Sequence, residues 1–231
     1  MSFLDSLFPD ICVNCWQVWQ YVCKECKKLL RPHQEVCPIC KWFSRNYRVC
    51  NNCQVSEDFL KWIIIWFNYN WIIKDLIWKL KFKWARNVSD FLADRLKLVF
   101  LSNQALHNKS WEIVLTYVPQ HWYVRYFKRW YNQSYLLSKC LSYKLDLPLI
   151  DAFCKVRHTR KQTKLKRAKR LVNLENAFDF VPNFETNLNG KTLVIVDDIT
   201  TTWTTIRKLS ALVEKKYPET NVWWLVVGRH S

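Results

Sequence analysis

Leu193-Val194-Ile195-Val196-Asp197-Asp198-Ile199-Thr200-Thr201-Thr202-Trp203-Thr204-Thr205 is the stretch that decides the fold. Its first four residues are aliphatic without a polar break, the pattern of a strand buried on both faces in a parallel sheet. Two carboxylates stand where that strand should end. Threonine then fills five of the six positions 200–205, and a helical pattern runs over 204–216. Ligands of open α/β sheets bind beyond the carboxyl ends of the strands. A loop that opens a helix offers a phosphate unpaired backbone N–H groups and the positive end of the dipole. Threonine hydroxyls add donors, while the carboxylates suit sugar hydroxyls or a metal ion. The stretch therefore reads as a sugar-phosphate site.

Outward from it, strand and helix patterns alternate, which gives an α/β class with a mainly parallel sheet. Residues 59–68 read as a strand and Asn70-Trp71 as a turn of the Asn-Gly hairpin kind. Residues 72–82 read as an amphipathic helix with Ile73, Leu76, Ile77 and Leu80 on its apolar face. Lys79, Lys81 and Lys83 are expected on its solvated side. A second helix is expected over 88–101, a buried strand over 113–118, a helix over 134–144, a short strand over 150–153 and a last strand over 222–227. Asn189-Gly190 marks a turn before the central strand. Residues 155–170 carry nine Lys/Arg and no acid, so this segment reads as a mobile arm or an anion site.

Residues 12–53 hold eight of the ten cysteines as four Cys-x-x-Cys pairs, Cys12/Cys15, Cys23/Cys26, Cys37/Cys40 and Cys50/Cys53. Two such pairs complete a tetrahedral Cys₄ site. In the simplest arrangement consecutive pairs share a metal, giving two structural Zn²⁺ ions in a double zinc ribbon. The polar stretch at 54–58 sets the expected boundary, with the ribbon at 1–56 and the α/β domain at 57–231. Cys140 and Cys154 read as core thiols.

The composition is unusual, with 14 Trp and 2 Gly in 231 residues. Ordinary glycine usage would give roughly 16. The tryptophans stand where turn chemistry wants glycine: Trp16 and Trp42 beside cysteine pairs, Trp71 after an asparagine, Trp203 in the threonine loop. We expect most of them to be glycines encoded by UGA and read here as Trp. Trp223 or Trp224, in an apolar strand, is the best candidate for a true Trp.

The formal charge of +17 implies anionic partners, either phosphate-rich substrates or nucleic acid. Met1 to Asp10 is too short and acidic for a signal peptide. Polar residues between 61 and 79 interrupt the one stretch that resembles a membrane span. A soluble, cytoplasmic protein is expected.

The central stretch resembles the signature of type I phosphoribosyltransferases, an apolar strand, two acids and a Thr-Thr-Gly-x-Thr loop. The resemblance implies that Asp197 and Asp198 hold the ribose hydroxyls of phosphoribosyl pyrophosphate, which binds with Mg²⁺. It implies that Thr201, Thr202, position 203, Thr204 and Thr205 hold the 5′-phosphate. Trp203 departs from the family glycine. Taken with the cysteine pairs, the chain resembles the ComF family, a zinc ribbon joined to a phosphoribosyltransferase-like domain. Its Arg-Gly-(aromatic)-Asn-Gln pattern matches Arg129, Tyr131, Asn132 and Gln133, with Trp130 in the glycine place. A later pattern matches Arg157, Thr159, Gln162, Leu165, Arg170, Asn173 and Phe178. Arg129, Arg157, Arg160, Lys161 and Arg170 are candidates for binding pyrophosphate or nucleic acid. The resemblance implies either phosphoribosyl transfer to an unassigned acceptor, with no general base evident, or non-catalytic binding of single-stranded DNA during DNA uptake and natural transformation.

Overall fold

The structure is a computed structural model that describes residues 11–18, 20–30, 32–37, 39–40, 42–54, 62–68, 70–82, 85–107, 112–120, 131–156, 177–200 and 203–229. Its centre is a sheet of four parallel strands: β1 (Trp62–Asn68), β2 (Ile113–Tyr117), β5 (Thr192–Thr200) and β6 (Asn221–Arg229), in the order β1-β6-β5-β2. A second, antiparallel pair joins β3 (Phe153–Lys155) to β4 (Phe178–Phe180).

Continuous apolar runs build this sheet because both faces are covered. Val194, Val196, Trp223, Leu225 and Val227 point to one cluster, and Leu193, Ile195, Trp224 and Val226 to the other. The first face is covered by α1 (Trp71–Phe82), α2 (Ala85–Ser102) and α3 (Gln133–Leu145). The second is covered by α4 (Thr204–Lys216), whose Ile206, Leu209 and Val213 recur at helical spacing and are all buried. The expected mainly parallel α/β class is the one observed.

Local chemistry corrects several boundaries. Asn70 does not turn a hairpin; its side-chain oxygen accepts from the N–H of Ile73 at 3.0 Å and caps the start of α1. Lys79 and Lys81 are not free solvated charges. Lys79 donates to the carbonyl of Ile11, and Lys81 pairs with Asp198. The strand expected over 150–153 is displaced to Phe153–Lys155, because Ile150 instead bonds Leu115 beside β2. Gly190 does turn the chain, at φ 73°.

The cysteine-rich segment packs onto the sheet. Cys12, Tyr21, Val22, Cys23, Cys26 and Leu30 join the first core cluster, while Cys37 and Val49 join the second. Between them the chain crosses the outer edge of β1. Pro32 bridges Phe67, Arg48 bridges Trp62, and the N–H of His33 donates to the carbonyl of Trp66 at 2.6 Å. An open strand edge is a template for unwanted pairing. Here the linker between the two cysteine clusters and Arg48 of the second cluster occupy that edge.

Candidate functional site

Two places in the molecule gather chemistry. The first is the cysteine segment. Cys12, Cys15, Cys23 and Cys26 bring their sulfurs within 4.8 Å of one another, and Cys37, Cys40, Cys50 and Cys53 do the same. Consecutive pairs share a cluster, as the spacing predicts. The donor set fits zinc. Backbone N–H groups of Cys23 and Cys50 point at the Sγ atoms of Cys12 and Cys37, each at 3.4 Å. Burial opposes ionisation of Cys12, but the surrounding N–H groups outweigh it and bring its pKa down to about 6. Cys37 falls to about 7 for the same reasons. Burial and neighbouring thiols push Cys26 and Cys53 up to about 12. Cys12 and Cys37 are thus ready to ionise, while Cys26 and Cys53 need a cation before they can follow.

The second place is the carboxyl end of the sheet. From β5 the chain crosses through α4 to β6. From β2 it runs through α3 to Leu149, which pairs with Leu115 on the opposite side of β2. Connections therefore diverge between β5 and β2, which makes that gap the topological switch point where open α/β sheets take ligands. Asp197 and Asp198 stand there, inside the C-terminal part of β5 rather than after it.

Each carboxylate is already engaged. Ser134, in the first turn of α3, donates its hydroxyl to Asp197 Oδ1 at 2.9 Å. Asn132 positions that turn: its side-chain oxygen accepts from the N–H of Ser134 at 2.9 Å, and its amide donates to the carbonyl of Val118 at 2.9 Å. Asp198, 4% exposed, pairs with Lys81 of α1 at 2.8 Å. The two acids separate electrically. Burial and the charge of Asp198 raise the pKa of Asp197 well above the usual carboxylate range. Burial also opposes the charge on Asp198, but the Lys81 ammonium overrides it and the pKa falls. The site thus holds one ionised and one readily protonated carboxyl.

Beyond the end of β2 lies a cavity of about 750 Å³ lined by Tyr117, Asn132, Tyr135, Asp151, Phe153 and Lys155, among others, and Asn132 links it to the turn that carries Ser134. Burial lowers the pKa of Lys155.

Of the remaining sequence-predicted residues, Trp203 stands at the N-cap of α4, with Thr204 and Thr205 opening the helix. Trp203 has φ −62° and ψ −2°, a conformation open to any residue, so the backbone here does not itself demand glycine. Its indole packs beside the second core cluster, under the guanidinium of Arg229 at 4.6 Å. Thr201, Thr202, Arg129, Arg157, Arg160, Lys161 and Arg170 lie outside the described residues. Sequence reasoning missed Lys81, Ser134 and Arg229. Ser134 follows Asn132-Gln133 as a capping pattern would, and Lys81 stands one residue beyond Leu80 on the buried face. Neither position identifies its carboxylate partner without the fold.

The fold and these two places define a class: a pair of Cys₄ clusters fitted for structural zinc, joined to a parallel α/β sheet with an acidic pair at its switch point. No family model matches the chain. Among curated proteins it is 30% identical to competence protein F of Haemophilus influenzae over 207 residues, covering 88% of this chain and 89% of that one. It is 27% identical to the DNA utilization protein YhgH of Escherichia coli K12, covering 83% of each. Among solved structures it is similar to an adenine phosphoribosyltransferase (17% identity, TM-score 0.41, 63% of this chain and 71% of that one). A hypoxanthine phosphoribosyltransferase of Staphylococcus aureus is also similar (14% identity, TM-score 0.38, 60% and 62%). The chain belongs to the competence protein F, or ComF, family. Among the described residues no helix is long and apolar enough to cross a membrane.

Proposed function

We propose that the chain is a phosphoribosyltransferase-like protein of DNA uptake, with a double zinc ribbon at 1–56 and a domain at 57–231 that binds phosphoribosyl pyrophosphate with Mg²⁺. The observation that carries this reading is the placement of Asp197 and Asp198 at the switch point, immediately before the loop that opens α4. Sugar hydroxyls would donate to these carboxylates, and the 5′-phosphate would meet the threonine loop. The Mg²⁺ that travels with the diphosphate neutralises charge at the leaving group. Asp198 is the ionised acceptor of the pair and Asp197 is oriented by Ser134. The acceptor of the phosphoribosyl group is unassigned, and the cavity beside Tyr135 and Phe153 is the place for it.

The test is calorimetric titration with phosphoribosyl pyrophosphate in the presence and absence of Mg²⁺. Asp198→Asn removes the ionised acceptor and leaves Lys81 unpaired, so binding should weaken by roughly tenfold or more. Binding that ignores both Mg²⁺ and Asp198 would refute the reading.

A second reading, binding of single-stranded DNA, is favoured by the formal charge of +17 and by the basic run at 155–170. Relatives named for competence and DNA utilization support it. The two readings are compatible if the site accepts the 5′-phosphorylated end of a strand.

A further inference from the structure

The two Cys₄ clusters share a ligand set but not an exposure. In the first, Cys12, Cys23 and Cys26 are buried and Cys15 is exposed. The three buried residues belong to the core beneath one face of the sheet, and the Asn14 amide donates to Cys26 Sγ at 3.1 Å. In the second, Cys37 alone is buried; Cys40 is exposed, and Cys50 and Cys53 are half-buried. A cavity of about 660 Å³ opens there, lined by Cys40, Ser44, Arg48, Cys50, Asn52 and Cys53, among others. A small solute therefore has access to three ligands of the second cluster and to one of the first.

A sulfur that ligates zinc is a thiolate, the form that oxidants attack, and among thiolates exposure selects the target. Cys40 Sγ lies 3.6 Å from Cys50 Sγ. A disulfide needs about 2.05 Å, so the two sulfurs have roughly 1.5 Å to close. Cys40 is exposed and Cys50 half-buried, so they can meet without drawing a buried residue out of the core. The matching pair in the first cluster is less free. Cys15 Sγ is 3.4 Å from Cys23 Sγ, but Cys23 is packed in the core and its sulfur accepts from the N–H of Cys26. Closing that pair would pull the start of a helical turn out of the core.

We propose that Cys40 and Cys50 are an oxidation site for hydrogen peroxide, and that their disulfide empties the second cluster while the first keeps its zinc. The Cys40 thiolate attacks one peroxide oxygen; the S–O bond forms, the O–O bond breaks, and hydroxide leaves. The Cys50 thiolate then attacks the resulting sulfenic sulfur; the S–S bond forms, the S–O bond breaks, and a second hydroxide leaves. Both hydroxides take protons from solvent and become water. Two electrons have passed from the dithiolate to the peroxide. Cys37 and Cys53 are then half of a tetrahedral ligand set, and the ion is released. The change reaches the sheet by contact. Cys37 and Val49 pack with Ile63 and Ile65, and Arg48 bridges Trp62, so the Trp62 end of β1 loosens. The Phe67 end stays bridged by Pro32, which follows the intact first cluster.

The experiment titrates the full zinc-loaded chain with hydrogen peroxide beside a chromogenic zinc indicator. One zinc per chain should leave at doses that spare the other. Peptide mapping after alkylation should find Cys40 joined to Cys50, with Cys12, Cys15, Cys23 and Cys26 still alkylated as thiols. A thiol reductant with added zinc should reverse both changes. Amide exchange should rise at Val49 and Trp62 and stay unchanged at Phe67. Cys40→His keeps a zinc ligand and removes the attacking sulfur, so a variant that holds both ions should lose neither at those doses. A variant that holds one ion should keep it, because the first cluster is the resistant one. Release of both ions together, loss from the first cluster before the second, a disulfide that excludes Cys40, or zinc release from Cys40→His at the dose that empties the parent chain would overturn the proposal. So would a parent chain that keeps both ions until it unfolds.

Discussion

If most tryptophans here stand for glycine, the structure says which substitutions should help and which should harm. Trp16 has φ +64° and a side chain 78% exposed, directly after Cys15. Its N–H donates to the carbonyl of Cys12 at 3.1 Å, closing the turn that aims both sulfurs at the first cluster. A left-handed conformation costs a residue with a Cβ about 1–2 kcal/mol. Glycine removes that cost but loses about 0.4–1 kcal/mol through the greater freedom of its unfolded chain. Trp16→Gly should therefore be stabilising by up to about 1.6 kcal/mol, since the indole it removes is exposed to water. Trp224 is the opposite case. It is fully buried, and its Nε1 donates to Ser210 Oγ at 2.9 Å. Removing it should cost about 3–5 kcal/mol from the cavity alone, with the Ser210 hydroxyl left unpaired in addition. Urea unfolding of the zinc-loaded chain, compared by midpoint at constant slope, reads both effects. Peptide mass spectrometry on protein from its own organism reads the code directly, with glycine expected at 16 and 203 and Trp at 224. Trp16→Gly that lowers the midpoint, or native peptides carrying Trp at 16 and 203, would refute the reasoning.

Elemental analysis should find two zinc ions per chain, and a zinc-free preparation of folded protein would remove the ribbon reading. Chelation should unfold 12–53 and raise amide exchange next at Trp62–Asn68, whose edge the ribbon covers, while β5 and β6 stay protected; uniform exchange across the sheet would contradict that order. The pH dependence of stability should carry two signs. Asp198, depressed by Lys81, contributes stability that is present above the ordinary aspartate pKa and lost as pH falls through its lower folded value. Asp197, raised by burial and by Asp198, loses the folded state stability as pH climbs from the ordinary value towards its higher one. Asp197→Asn keeps an acceptor for Ser134, so it should raise the melting temperature at neutral pH while weakening ribose binding; a lower melting temperature would contradict the raised pKa. Single-stranded DNA should bind with a steep salt dependence, and neutralising Arg160, Lys161, Lys164 and Lys166 together should flatten the slope. An unchanged slope would take nucleic acid away from that segment.

The parts of the molecule legible in the sequence are those set by local pattern. Leu193–Val196 announced a doubly buried strand because no polar residue interrupts it. The cysteine pairs announced two clusters because the spacing of a thiolate pair is a local property of the turn that carries it. What the sequence could not show depends on which segments meet. Lys81 follows an apolar helical face and reads as solvated until α1 is laid beside β5, where it finds Asp198. Arg229 gives no signal of its own until β6 is placed between β1 and β5, where it meets the Trp203 indole.

The ribbon gives the strongest instance of this limit. Its metal chemistry was legible residue by residue, while its attachment was not, because nothing local to Val22, Leu30, Cys37 and Val49 says which surface they pack against. In the structure they divide between the two faces of the sheet, and the chain between the clusters crosses β1 from one face to the other. A module clasped in this way cannot lose its metal without uncovering both an apolar surface and a strand edge. That edge ends at Asn68, opposite Arg229. Zinc occupancy and the order of β1 are therefore coupled. Measuring amide exchange in β1 against bound zinc separates this coupling from two modules that merely share a chain.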